Sequence, residues 1–504
     1  ICIAVNGKPE REIDGNSTLQ RMELLKTGYM GTLSLGWDNY LFLELTGRQE
    51  RSSTLKDQSF FYPSANLSFL FSNAFRMPAW WNHGKLRLSY GVVGNAPETY
   101  AANIIYEQGS DNGFTWNYVP SSWGNANIRP EKKYEYEIGF ESKFLNNRLG
   151  FDVSYYNNRV KDQILSTPQP STSGVKYVLM NVGEVANEGW DISVSATPVL
   201  TKNFRWDLTA NYGIYRNKVV KLADGVPYLE ISNIGGGGAK IQAVEGRPMG
   251  DIYVQVPQMN ENGEYLVSDK GLYMNQTELQ KVGNINPDGV GGLFSSFSYK
   301  NIFLDFSIDF RIGGDVINEM YQYSTASGLT PESLQFRDTE HGGLSYYYPG
   351  NNNASGVPVQ VDPSLGAGPN GETVYHDGVI LPGVVASTGE KNTRIIPAGY
   401  YYNQTYNWGT QPEQLTYRHS VFDNSYVKLR ELTIGYQFPE KLISKLGMTR
   451  LSVSVFGRNL FYFYKALKNY DAESSVGTSW ASQAVVGGST TATRNFGVSL
   501  RASF

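Results

Sequence analysis
Segments of about ten residues in this chain alternate apolar and polar side chains, one after another. In "FLDFSIDFRI", Leu304, Phe306, Ile308, Phe310 and Ile312 fall on one face, and Asp305, Ser307, Asp309 and Arg311 on the other. "WDISVSA" (190–196), "RWDLTANYGI" (205–214), "YEYEIGFE" (134–141) and "RLSVSVFG" (450–457) repeat the pattern. A period of two is a strand with two unlike faces. One such strand suits the half-buried edge of a soluble sheet. Many in succession, with charged second faces, need an apolar medium on one side and water on the other. Nothing else in the sequence supplies helices to cover the apolar face.

The pattern gives thirteen strands, near 26–37, 40–50, 61–72, 84–94, 132–145, 148–160, 188–198, 204–217, 290–300, 302–313, 424–438, 449–463 and 493–504. Their connections alternate in length. Short ones include "DN" at 38–39, "NN" at 146–147 and Asn301; long ones span 95–131, 161–187, 218–289, 314–423 and 464–492. Short turns at one end and long loops at the other are the layout of an outer-membrane barrel, with periplasmic turns and extracellular loops. The fold class expected is therefore all-β: a transmembrane antiparallel β-barrel. Mean hydropathy of −0.36 fits, because only every second residue need be apolar.

The last strand, "RNFGVSLRASF", runs to an aromatic C-terminus. A finished terminal strand that pairs with the barrel's first strand explains it. Phe504 would sit at the periplasmic rim as an assembly signal. Thirteen is an odd count, whereas bacterial single-chain barrels have even counts. Residues 1–25 are therefore expected in an extracellular loop, with 26–504 the C-terminal part of a larger barrel. A single cysteine, Cys2, excludes an intrachain disulfide and a cysteine-based metal site. A net charge of −4, with no long run of one sign, gives no support for nucleic-acid binding.

"NYLFLELTGRQERSS", "FYPSANLSF", "KLRLSYGVVGN", "IRPEKKYEYEIGFESKF", "NVGEVANEGWDISV", "SYVKLRELTIGYQFP" and "VSVFGRNLFYF" follow one another in an order and spacing that resemble the SusC/RagA type of TonB-dependent outer-membrane transporter. The resemblance runs from about residue 29 to 504. It implies a barrel of about 22 strands with a plugged lumen. Nine strands, the plug and the segment that engages TonB would then belong to an N-terminal part absent here. It further implies import of oligosaccharides, or in some members peptides, with a SusD-like surface lipoprotein as lid. The resemblance implies a transporter, with neither an enzyme nor a resident cofactor.

Aromatic groups in the long loops are the candidate substrate contacts: Trp116, Tyr118, Trp123, Tyr346, Tyr347, Tyr401, Trp408 and Trp480. Flat rings beside Asn, Gln and Asp suit sugar rings or peptide chains. The bland reading of each ring is loop packing. "NENGEYLVSD" (260–269) resembles an acidic calcium loop, but Asn260 and Asn262 stand where carboxylates would be. "YDAE" (470–473) resembles a family Asp-Pro-Glu motif with Ala472 in place of proline, and the sequence assigns it no role. "IGGGGAK" (234–240) lacks Gly-Lys-Ser/Thr and reads as loop, and the four histidines stand far apart. No catalytic constellation is visible. The alternatives are a TonB-dependent receptor for a metal chelate or vitamin, an outer-membrane enzyme, and a soluble all-β binding protein.

Overall fold
The computed structural model describes the chain apart from residues 1, 7–8, 12–16, 20–21, 56–58, 104–105, 112–113, 169–171, 173, 224, 236–237, 408–416 and 489–491. Fourteen strands form one sheet: β1 (Cys2–Asn6), β2 (Met22–Trp37), β3 (Leu41–Ser52), β4 (Ser59–Phe69), β5 (Trp81–Asn95), β6 (Glu131–Phe144), β7 (Leu149–Lys161), β8 (Glu184–Leu200), β9 (Phe204–Lys221), β10 (Gly289–Tyr299), β11 (Ile302–Ile312), β12 (Tyr426–Gln437), β13 (Arg450–Lys465) and β14 (Asn495–Ser503). Each pairs antiparallel with its neighbours in sequence. Among the described residues, no pairing joins β14 to β1 or β2.

All thirteen expected strands are present, as β2 to β14. Residues 1–25 differ from expectation. The alternation predicts a loop there, yet Cys2–Asn6 pairs with Met22–Lys26 as a further strand. Five residues are too few for a period-two pattern to stand out. The pairing lies at the loop-side end of β2, and the remainder of that edge is free of β1.

Register carries the alternation across the sheet. Trp206, Phe297, Leu304, Ile434, Val455 and Val498 are successive partners from β9 to β14, a continuous apolar row. Asp152, Ser193, Asn211, Gly292, Asp309 and Lys428 form the corresponding polar row on the other face. The apolar row faces lipid in a barrel and the polar row faces the lumen. On the apolar face the Trp206 indole N–H donates to Ser295 Oγ at 3.0 Å, so that donor is not left bare to hydrocarbon.

Several rings lie over glycines of the partner strand. Phe303 covers Gly435, Phe310 covers Gly291, and Phe456 covers Gly497; a β-carbon at any of these glycines would overlap the ring.

Most of the buried hydrophobic residues lie among the long connections, with Phe60 and Val219 joining them from the strands. Ile241, Ile252, Val254 and Ile317 are fully buried there with Tyr417 and Val485, which joins three loops in one cluster. The loops build small sheets of their own. Tyr228–Ile234, Ala239–Val244, Asp251–Val254 and Gln280–Asn284 form one; Leu344–Tyr347, Val359–Gln360, Val374–Val379 and Ile396–Pro397 form another. Leu266–Val267 and Val384–Val385 pair in parallel and tie the 222–288 connection to the 313–425 connection. Two helices, α1 (Glu319–Ala326) and α2 (Ala398–Tyr406), complete the canopy. Asn318 caps α1 by accepting the Tyr321 N–H at 2.9 Å.

Candidate functional site
The lumen-facing row opens into a hollow of about 560 Å³ lined by Asp152, Asp191, Asn211, Tyr215, Asp309 and Arg311 among others. Alternate residues of β7 to β11 supply these groups. Asp191 accepts the Tyr215 hydroxyl at 2.9 Å. Arg311 donates to the carbonyls of Gly313 (3.2 Å) and Ile285 (2.9 Å), so the loop backbone holds its guanidinium. A second hollow of about 690 Å³ shares Ser154, Asp191 and Tyr215 with the first and adds Glu135, Glu137, Asn158 and Asn187. There, Asn187 Nδ2 donates to Asn158 Oδ1 (2.8 Å), and Asn158 Nδ2 to Glu135 Oε2 (3.1 Å). The two hollows form one tract of carboxylates, amides and hydroxyls across the inner wall. Lys133 and Arg311 also line it, and Glu135, Asp152 and Asp309 are ion-paired to Lys133, Arg87 and Arg430, so the surface offers mainly hydrogen bonds to a polar, flexible ligand.

A charged clamp closes the loop end of this tract. β12 carries a bulge at Arg430, between the pairs Ser307–Glu431 and Ile308–Leu429. The freed Arg430 side chain reaches Asp309 (Nε to Oδ2, 2.5 Å), Asn459 and Glu473. Glu473 also accepts from Lys428 at 2.5 Å and from the Tyr426 hydroxyl at 3.2 Å. Lys428 is only 2% exposed. Burial pushes the Glu473 carboxyl up, but hydrogen bonds from Arg430 and Lys428 outweigh it and hold the group down at about 2. Two residues earlier, Asp471 accepts the Tyr462 hydroxyl at 2.5 Å. The "YDAE" segment thus pins the 466–494 connection to the barrel wall. Its two carboxylates were visible in the sequence; their partners lie more than forty residues away for Glu473 and could not be read locally.

The predicted aromatic contacts are scattered. Trp116 and Tyr118 stand half-exposed on the hairpin Glu107–Asp111/Phe114–Tyr118, with Trp116 lying against Gly109. Trp123 is partly buried where Ser122–Trp123 pairs with Tyr177–Val178, and its indole nitrogen has no partner among the described residues. Tyr346 is core: 1% exposed, 5.5 Å from the rings of Tyr348 and Tyr375, its hydroxyl on Asp377. Tyr347 is partly buried one residue on. Tyr401 packs on Tyr402 and on the Leu272–Ile396 cluster, and burial raises its phenol to about 12. Trp480 lies against Gly250, half-exposed. Trp408 lies outside the described residues. Phe504 is highly exposed at the short-turn rim, beside Ser503, whose carbonyl accepts the Thr449 N–H at 2.8 Å.

In the 260–269 turn, the Asn260 side-chain oxygen accepts the N–H groups of Asn262 (3.0 Å) and Glu264 (2.9 Å), so the turn's own backbone engages that oxygen. Gly235 of the "IGGGGAK" segment has φ +57°, with the Tyr417 hydroxyl pressed against it, and a side chain has no room there. Among the described residues, no group of three or more His, Cys, Asp and Glu is arranged to hold a metal ion.

Residues 13–251 match the family model for the TonB-dependent receptor-like β-barrel. The sheet has the fold of the TonB-dependent receptor-like β-barrel, with the family match covering just under half of the chain. TonB-dependent receptor P3 of Formosa agariphila is 22% identical over 494 residues, which is 89% of this chain and 42% of that protein. TonB-dependent receptor SusC of Bacteroides thetaiotaomicron is 28% identical over 244 residues, 44% of this chain and 24% of SusC. A structure of the RagAB peptide transporter matches with a TM-score of 0.69 at 18% identity, covering 96% of this chain and 48% of that one. The chain therefore shares the RagA-type barrel fold and spans less than half the length of these relatives.

Proposed function
We propose that the chain is the C-terminal wall of a TonB-energised importer in the outer membrane of a Gram-negative bacterium. It carries oligosaccharides or peptides and works with a SusD-like surface lipoprotein seated over the loops. The observation that carries this reading is the pairing of an interlinked, folded loop canopy with a polar inner wall. A canopy with its own core is a docking platform, and loops as long as 313–425 are uncommon without a function. The inner tract is lined by Glu135, Glu137, Asp152, Asp191 and Asp309. Lys133 and Arg311 line it too, and Lys133, Arg87 and Arg430 pair with Glu135, Asp152 and Asp309, so the tract offers paired charges and hydrogen-bonding groups of both kinds, which suits a polar, flexible ligand.

The reading includes strands that pair with the free edges of β2 and β14, nine of them by the family count, and a plug in the lumen. In hydrocarbon each unpaired backbone group costs several kcal/mol, so neither edge can face lipid bare. The test is deletion of the complete gene in its host, followed by uptake of labelled oligosaccharides and peptides with and without functional TonB. Pull-down of the receptor from native membranes accompanies it. Unchanged uptake of every substrate tried, with no lipoprotein co-purifying, would overturn the proposal.

A further inference from the structure
The short-turn rim differs in charge from the rest of the molecule. Its six connections, at 38–40, 70–80, 145–148, 201–203, 300–301 and 438–449, hold the cations Arg76, Arg148, Lys202, Lys300, Lys441 and Lys445 but only two carboxylates, Asp38 and Glu440. The chain as a whole is net negative. Five consecutive turns each contribute at least one cation. All six side chains are exposed, and none has a carboxylate partner among the described residues. Arg148 donates only to the backbone carbonyls of Thr197 and Pro198, which leaves its charge unneutralised. Lys300 lies over the Tyr299 ring.

The same rim is fringed with exposed apolar groups: Phe75, Trp80, Tyr299, Leu442, Leu446 and Phe504. Leu442 and Leu446 lie four residues apart in the turn Glu440–Leu446, which buried Ile443 roots to the barrel, and Lys441 and Lys445 have the same spacing beside them. Successive short turns are two strands apart, or roughly 10 Å along the rim. The cations therefore follow the barrel circumference at about the spacing of neighbouring lipids, and they are not gathered in one patch. A protein partner calls for a compact patch. A ring of cations continuous with the lipid-facing apolar belt calls for headgroups.

We propose that this rim is a docking collar for anionic phospholipid headgroups of the periplasmic leaflet. The apolar fringe would sit at the acyl boundary, and Arg76, Arg148, Lys202, Lys300, Lys441 and Lys445 would meet the phosphates. The inference rests on the membrane-barrel reading above and is independent of the cargo.

The test uses the complete receptor in bilayer discs of equimolar phosphatidylglycerol and phosphatidylcholine. The readout is lipid retained after detergent exchange, measured by mass spectrometry. The wild type is expected to retain phosphatidylglycerol preferentially, and less so at high salt. Each cation replaced by glutamine should weaken that preference about fivefold, the equivalent of about 1 kcal/mol per cation near an anionic surface. The double variant Lys202→Gln/Lys441→Gln keeps the test decisive if a variant with all six cations replaced by glutamine fails to insert. Lys270→Gln/Lys391→Gln, in the canopy, should leave the preference unchanged. No preference in the wild type, an unchanged preference in the rim variants, or equal loss in the canopy control overturns the collar. Heat-modifiable insertion and substrate uptake are read on the same preparations. An inserted, transporting receptor without the preference sinks the collar alone, whereas a wild type that does not insert sinks the barrel reading with it.

Discussion

Replacing Glu473 by glutamine should release the 466–494 connection from the barrel wall while leaving the barrel intact. Glu473 is the one carboxylate shared by Lys428 and Arg430. Its drop from 4.5 to about 2 corresponds to about 3 kcal/mol of preference for the charged form, at about 1.4 kcal/mol per tenfold. The side chain remains 28% exposed, so water screens part of this, and about 1–3 kcal/mol is the working figure. Arg430 keeps Asp309 in the variant, but Lys428, nearly sealed from solvent, loses its one carboxylate partner among the described residues. The sign with pH follows from the depressed value. The stabilisation is fully present above about pH 4.5 and is lost as pH falls toward 2. The assay is hydrogen exchange on the complete receptor in detergent, followed by peptide mass analysis. In Glu473→Gln at pH 7, amides of 466–488 should exchange roughly 5- to 150-fold faster, the range set by about 1–3 kcal/mol. The wild type should approach the same rates only in acid, once exchange is corrected for its intrinsic pH dependence. Exchange within twofold of wild type would refute the clamp. So would an equal acceleration in β6 to β9, which would mean general destabilisation.

Other outcomes follow from the same coordinates. Ile308→Arg, on the apolar face at mid-strand, should cost roughly 2–4 kcal/mol of folding stability, while Ser307→Asn on the lumen face should cost much less; comparable insertion of the two in a refolding titration would show the faces are misassigned. Deleting Phe504 should reduce the yield of heat-modifiable, membrane-inserted protein, and equal yields would remove its role as an assembly signal. Tyr346→Phe should lower canopy stability by about 1 kcal/mol through loss of the Asp377 hydrogen bond, without changing ligand affinity; a selective loss of affinity at unchanged melting temperature would return Tyr346 to the ligand site.

The barrel was legible because its signal is local and repeated. Leu304, Phe306 and Ile308 declare a face within a few residues, and the connections between such runs declare the two ends. The canopy was not legible because its pairings are distant. Leu266–Val267 meets Val384–Val385 across more than a hundred residues, and nothing in either dipeptide names the other. The same limit explains Tyr346. Three tyrosines in a row look alike whether they await a sugar or fill a core, and only the folded loop shows the first stacked on Tyr375. The Arg430 bulge had no local cue either, since an inserted residue within a regular alternation is indistinguishable from a one-residue slip until the partner strand is seen.

The rings that lie over glycines favour one alignment of the strands. In its present rotamer Phe303 lies across a residue that has no side chain. A slip of two residues, the smallest that keeps the faces correct, would set it against Thr433 or Gln437 in place of Gly435. Phe456 would likewise meet Asn495 or Ser499 in place of Gly497. Polar and apolar patterning cannot distinguish these slipped alignments from the native one, because each preserves the face of every side chain. Steric exclusion at a few glycines can. The chain's final hairpins therefore carry their own gauge of alignment, and an insertion that begins from them starts with its stagger already fixed.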